Sequence, residues 1–363
     1  MLPGDGNTAL AIGGPAADAW FAKLRKTVER PPLNAQILAS NGVVRIAPSR
    51  EGLRLNVPAT AKAILAAATS PSRRPAALVL DPSQPERTTA EAEAMGIERR
   101  LGTYSTANAG TFDRITNLRR AIELLNGALV PPGGVFSFNE RVGERTVERG
   151  FKPAPVIIKD EYEEAVGGGV SQVATTVFNA AWESGVKIVE RNPHSLYISR
   201  YQLGRDATVN YPDLDLKFRN DTPNWILVAT SWDDAGITVS LYGGGPERRI
   251  ESSEGTMRET RPAPIRRIND PTLEKGTEIV VEEGSPARST TVTRKVYAAD
   301  GSLLYDETWN TSYRGEYREI HVGTKPKPKP KPAPPPPKTT TTGTTTTEPP
   351  PTTTQPPATT TQP

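Results

Sequence analysis

Ser171, His194 and Asp206 are the side chains of this sequence whose types and spacing could do chemistry together. Gly167, Gly168 and Gly169 stand just ahead of Ser171, and a helical run begins at Gln172. Three glycines permit positive φ and close backbone approach. At a helix start they would leave N–H groups aimed outward, a pocket suited to a carboxylate, a phosphate or an oxyanion. A hydroxyl at Ser171 would feel the positive end of the helix dipole. His194 follows a strand that begins just after the same helix, and a helix–turn–strand return can bring that strand's far end back to the helix start. Asp206, in Leu203-Gly204-Arg205-Asp206, could then orient the imidazole. Nucleophile, base and orienting acid would be in place for acyl transfer or hydrolysis. Gly167, Gly168, Gly169, Gln172 and Arg205 are the candidate ligand-binding residues beside them. The plainer reading has Ser171 as an N-cap, the glycines as a tight turn and His194 as a structural hydrogen-bonding residue.

The elements that must position these residues follow from local pattern. Ile115, Leu118, Ile122, Leu125 and Leu129 fall at spacings of one helix face and predict a helix over Arg114–Leu129, with Thr111 as its cap. The helix from Gln172 runs to Ser184 and stops at Gly185. Short strands are expected at Val186–Glu190, Leu196–Ser199, Ala207–Asn210 and Leu214–Phe218. A hairpin, Trp225–Thr230 with Ile237–Tyr242, turns at Asp233-Asp234-Ala235-Gly236. Upstream, Trp20, Leu24 and Val28 share a face of a helix over 14–31, a second helix covers Ala61–Ala68, and Ala77–Leu80 reads as a strand. Thr88 and Glu91 have capping-box spacing. Downstream, Thr290–Tyr297 and Leu303–Trp309 flank Asp300-Gly301, a hairpin signal, in a region whose few large apolar residues predict a thin sheet.

Composition excludes several function classes. The chain has 363 residues, no cysteine and two histidines, His194 and His321. Disulfides, thiolate metal sites and a Cys nucleophile are excluded, and neither a metal nor another cofactor is expected. A net charge of +3, with no basic patch interleaved with aromatics, argues against nucleic acid as a partner. The acidic run Asp160, Glu161, Glu163 and Glu164 reads as a solvated hairpin tip, and Arg99-Arg100 and Arg119-Arg120 as solvated helix faces. Trp182 reads as core. No stretch approaches the ~20 apolar residues of a membrane span. The opening MLPGDGNTALAIGGPAADAW lacks a basic segment and a long apolar one, so export information is expected outside it. Thr324–Pro363, rich in Pro, Thr and Lys without core-forming residues, is expected to be disordered and PPII-like.

Three runs carry a family resemblance: PPGGVFSFNERVGERTVERGFKPAPVII, GGGVSQVATTVFNAAWESGVKIVERNPHSL and GRDATVNYPDLDLKFRN, together covering 131–220 with few gaps. They resemble the VanW-like family. Members often carry Cys where Ser171 stands; the serine leaves a hydroxyl nucleophile or a cap. The run PPLNAQILASNGVVRIAPSREGLRLN, continuing to TTAEAEAMGI, resembles a peptidoglycan-binding domain found ahead of such modules in Gram-positive proteins. The segments INDPTLEKGTEIVVEEG, VYAADGSLLYDETWN and REIHVGTK resemble a G5 domain. The expected architecture is multidomain α+β: a small α+β module at 14–98, a VanW-like α/β domain at 99–246, a strand-rich G5-like module at 257–323 and the tail at 324–363. The resemblance implies an extracellular, wall- or membrane-anchored protein, linked to vancomycin resistance by family name, whose partner is the glycan or stem peptide of peptidoglycan. Two other functions fit the same residues. One is an acyl-transfer or hydrolytic enzyme using Ser171 and His194, and the other is a structural wall spacer or adhesin.

Overall fold

The computed structural model describes residues 2–3, 10–72, 75–107, 110–158 and 161–327. Most of the expected tail therefore lies outside the described residues, as does Asp160. The chain divides into two compact units, residues 1–267 with 280–320, and 268–279 with 321 onward.

The first unit opens with a pairing of β1 (Leu2–Pro3) and β2 (Leu10–Ala11). Helix α1 (Pro15–Val28) begins with proline in its first turn, where a missing N–H costs nothing. It buries Phe21, whereas Trp20, on the face expected to be apolar, is 50% exposed. Strands β3 (Gln36–Ser40) and β4 (Val43–Ala47) form a hairpin. Its turn residues Asn41 and Gly42 both have positive φ, as a tight two-residue turn requires. Strand β5 (Gly52–Leu55) pairs with β6 (Leu80–Ser83), so Ala77–Val79 precede the strand expected there. Between them α2 (Val57–Thr69) starts earlier than its apolar run suggests, because the Asn56 side chain accepts the Ala59 N–H at 2.9 Å. An apolar groove of about 600 Å³, lined by Phe21, Leu24, Ile64 and Leu78, lies between α1 and α2. Helix α3 (Thr89–Ala94) carries the expected capping box.

After β7 (Arg99–Ala107), α4 (Phe112–Leu125) is capped by Thr111, whose hydroxyl accepts the Arg114 N–H. Gly127, at φ +79°, turns the chain into β8 (Ala128–Val130), which places Leu129 in a strand rather than on the helix. Next come β9 (Val135–Ser137), α5 (Phe138–Val142) and the hairpin of β10 (Pro153–Ile158) with β11 (Glu161–Val166). Helix α6 (Val170–Glu183) follows, then β12 (Lys187–Glu190), β13 (Lys217–Arg219) and the hairpin of β14 (Ile226–Trp232) with β15 (Gly236–Gly243). An antiparallel sheet runs in the order β7-β15-β14-β8, and a smaller one in the order β12-β13-β9. Twelve of the fourteen residues of α6 are buried. A helix covered nearly all round is the centre of a core, and Phe178 and Trp182 are fully buried there.

Strands β16 (Arg249–Ser253) and β17 (Arg258–Arg261) precede β18 (Ile265–Glu274) and β19 (Glu278–Glu282). After them come β20 (Ala287–Tyr297), β21 (Leu303–Tyr313) and β22 (Arg318–Lys325). Strand β20 lies between β16 and β17 in one sheet and pairs with β21 along its length. This sheet is not the thin surface that its composition predicts. Val292, Arg294 and Val296 alternate onto one face and are completely buried. Trp309 of β21 stands 6.2 Å from the Phe178 ring and 6.1 Å from Trp182. The Arg294 guanidinium donates to the carbonyls of Val186 (2.8 Å) and Trp182 (3.3 Å) and pairs with Glu307 at 3.1 Å. A buried charge so partnered can sit in a core. In the second unit Lys275 N–H donates to the Lys325 carbonyl, Gly323 N–H to that of Thr277, and His321 pairs with Asp270 at 3.2 Å.

Candidate functional site

The glycine turn joins β11 to α6, and its three residues do different things. Gly167 and Gly169 have φ of +88° and +95°, a region that side chains disfavour. Gly168 does not, but a Cβ there would stand 2.2 Å from the Ala154 carbonyl oxygen of β10. Asn117 of α4 clamps the turn by donating to the carbonyls of Gly168 (3.0 Å) and Lys152 (2.9 Å). The outward-pointing amides expected here are mostly engaged. The N–H groups of Gly167, Gly168, Val170 and Gln172 donate to Lys152, Ala165, Gly167 and Gly169 carbonyls. The glycines instead make room: a Cβ on Gly169 would lie 2.7 Å from the Arg114 side chain, and one on Gly167 would lie 2.6 Å from that of Arg145.

Ser171 is not the helix cap. That position belongs to Gly169, which has no side chain to offer. The Ser171 hydroxyl lies 3.1 Å from that of Thr208 and accepts the Val209 N–H at 3.3 Å. Gln172 is buried and its amide is saturated: it accepts from Arg114 at 2.7 Å and donates to Thr106 (3.0 Å) and the Ala107 carbonyl (2.9 Å). Arg205 is not at the site. Its guanidinium donates to Asn179 and Glu183 and lies 4.8 Å over the Trp182 ring.

His194 and Asp206 do meet. Residues 191–216 hold no extended strands, only isolated bridges such as Asn192 with Thr208, and side chains pin the segment. The strands expected there are absent because the backbone groups bond to side chains and to single partners instead of a ladder. His194 is 7% exposed, and its ring stacks on Tyr201 with centroids 5.5 Å apart. Its Nδ1 lies 2.8 Å from Asp206 Oδ2, which also accepts the His194 backbone N–H at 2.6 Å. Oδ1 of Asp206 accepts from Arg191 (3.1 Å) and from the Tyr313 hydroxyl of β21 (2.7 Å). Burial alone would raise the Asp206 pKa, but the hydrogen bond and charge of His194, with Arg191, hold it below the usual carboxylate value. Burial and the adjacent Asp206 charge push the Tyr313 hydroxyl up, so it stays a protonated donor. Nδ1 faces the carboxylate, and none of the described residues hydrogen-bonds Nε2.

Ser171, His194, the outer glycines and Gln172 line one cleft of about 670 Å³. Among the described residues no hydrogen bond joins Ser171 to His194; the serine is turned to Thr208. The structure adds Arg114, Arg145, Arg200 and Tyr201 to the lining, none of which the sequence reading singled out. One signal was available: Arg114 lies four residues before Leu118 and seven before Ala121, on the buried stripe of α4. No group of three or more His, Asp or Glu side chains poised for a metal occurs among the described residues.

Two family models match the chain. The one described as "VanW like protein" covers residues 113–242. Those residues form a VanW-like domain. The one described as "Putative peptidoglycan binding domain" covers residues 8–75. "Uncharacterized protein YoaR" of Bacillus subtilis is 37% identical over 145 residues, 40% of this chain and 48% of that protein. "Vancomycin B-type resistance protein VanW" of Enterococcus faecalis is 26% identical over 155 residues, 41% of this chain and 56% of that protein. The chain thus spans about half the length of these curated relatives. Among solved structures, "IgA1 Protease G5 domain structure" aligns at 19% identity and a TM-score of 0.17, over 23% of this chain and 95% of its own. "Crystal structure of HP0197-G5" aligns at 19% and 0.14, over 21% and 99%. The family matches support a cell-wall-associated protein. The VanW-like match contains Ser171, His194 and Asp206 and stops before Tyr313.

Proposed function

We propose that this protein binds peptidoglycan at the cell wall and that the cleft beside α6 is a ligand site. The observation that carries the reading is the cleft itself. It is concave, it lies almost wholly in the residues that match the VanW-like family, and it is bordered by a buried imidazole paired with Asp206, whose Nε2 has no hydrogen-bond partner among the described residues. Such preorganisation belongs to recognition, since a solvated surface histidine needs no four-donor carboxylate behind it. The match at 8–75 supports a second wall contact upstream. Full-length protein should sediment with insoluble peptidoglycan. His194→Ala should lower that binding per folded molecule without abolishing it, because the upstream contact remains, with folding checked by circular dichroism. Unchanged sedimentation of a folded His194→Ala protein would sink the cleft as the site.

The His194–Asp206 pair also favours a second reading, a peptidoglycan-peptide acyl transferase or hydrolase. There the Ser171 hydroxyl would turn from Thr208 and attack a peptide carbonyl, passing its proton to Nε2, which returns it to the amine that leaves as the C–N bond breaks; water or an acceptor amine then releases the acyl group from Ser171. Mass spectrometry of muropeptides after incubation tests it: new products that vanish with Ser171→Ala would establish the activity, and an unaltered muropeptide profile would reject it.

A further inference from the structure

The cleft is lined by three arginines, Arg114, Arg145 and Arg200, and among its described lining residues there is no aspartate or glutamate. Two of the three are built in. Arg114 is only 6% exposed, and its guanidinium is oriented by the saturated Gln172 amide. Arg145 lies over Gly167, with its guanidinium 5.7 Å above the Phe138 ring and one arm donating to Asn139 at 2.8 Å. The other arm, Nη1, is buried and has no hydrogen-bond partner among the described residues. Asp215, the acid whose charge acts on Arg145, is engaged elsewhere: its oxygens accept from Ser137, the Asn139 N–H and the Leu216 N–H. Burial pulls the Arg145 pKa down to about 10 against the opposing charge of Asp215. His194, more than nine-tenths buried at the same cleft, has no hydrogen-bond partner for Nε2 among the described residues.

A buried N–H of a guanidinium is costly unless something accepts its hydrogen bond, and at Arg145 that donor is Nη1. Planar guanidinium forks match carboxylates, which accept two parallel N–H bonds. We propose that Arg145 and Arg114 receive an anionic group of the ligand, specifically the free C-terminal carboxylate of a wall stem peptide, within reach of His194. The carboxylate assignment rests on the peptidoglycan reading above; a phosphate-bearing wall polymer presents related chemistry and forms a separate arm of the test. The two outer glycines follow from the same arrangement. Side chains at 167 and 169 would displace the stems of the two arginines that take the anion.

The experiment uses the full chain and three probes: a soluble stem peptide with a free C-terminal carboxylate, the same peptide amidated, and inorganic phosphate. Titration calorimetry should show the acid binding at least about tenfold more tightly than the amide, the weight of one charge-assisted pair. Arg145→Gln should remove that preference. Arg145→Lys keeps the charge without the fork and should remove most of it. Arg200→Gln, at an exposed position that leaves the core intact, should weaken the acid less. Equal binding of acid and amide, or an unchanged preference in a folded Arg145→Lys protein, overturns the proposal. Phosphate displacing the acid at comparable concentration overturns the carboxylate assignment. Sedimentation with insoluble peptidoglycan separates the two readings. Wall binding with no acid preference defeats this proposal and spares the general one, whereas acid preference without wall binding does the reverse.

Discussion

Helices α1 and α6 are both fourteen residues long, yet α1 buries one residue and α6 buries twelve. Their surroundings make the difference. Two-stranded pairings and an open apolar groove face α1. Helix α6 lies among the four-stranded sheet, α4 and the β20–β21 hairpin. Neighbours from several parts of the chain close around α6, and the Arg114 and Arg145 side chains lie against the glycines of its N-terminal turn.

Five substitutions break or sharpen this contrast. Trp182→Ala, which empties the space between Phe178, Trp309 and two arginines, should cost about 4 kcal/mol in chemical denaturation. A loss under ~1 kcal/mol would show that the hairpin does not seal the core. Gly168→Val should cost roughly 3 kcal/mol, because the Ala154 backbone cannot yield. An unchanged melting temperature would mean that the turn has slack. Phe21→Ala should cost only about 2 kcal/mol, below the usual Phe value, since Phe21 already borders open space. A loss as large as that of Trp182→Ala would erase the contrast.

Tyr313→Phe removes one donor from Asp206 and should cost about 1–2 kcal/mol at pH 7. The Asp206 carboxyl is depressed in the folded state, so its contribution is whole above its ordinary value of ~3.9 and fades as pH falls through the folded value. Melts followed from pH 7 down through the acid limb should therefore show the Tyr313→Phe deficit shrinking once pH falls through the folded value. A deficit that is constant with pH would assign Tyr313 to packing alone. The smallest effect belongs to Thr88→Ala, about 1 kcal/mol, confined to the N-terminal region and visible as faster amide exchange in α3 with the cleft unaffected.

What the sequence made legible was local. The capping box at Thr88, the Thr111 cap, the Asp233 and Asp300 turns and the course of α6 depend on residues a few positions apart, and each is present. What it hid depends on distant partners. Arg114 and Arg294 look like surface residues until Gln172 and Glu307 stand beside them. Residues 191–216 contain good strand formers, yet their backbone bonds to side chains such as Asn139 and Asp206. The meeting of His194 with Asp206 was readable from spacing, whereas the turning of Ser171 toward Thr208 was not, because Thr208 reaches it from an irregular segment with no periodic signature.

Tyr313 has a consequence for inheritance. The VanW-like match ends at residue 242, yet the fourth donor to Asp206 and the indole that covers α6 come from 303–313. Recombination that excised the matched segment and spliced it elsewhere would carry away the histidine and its acid but leave behind part of what holds them. The hairpin and the domain must be transmitted together, or a recipient scaffold must supply a substitute hydroxyl and a substitute lid for Trp182.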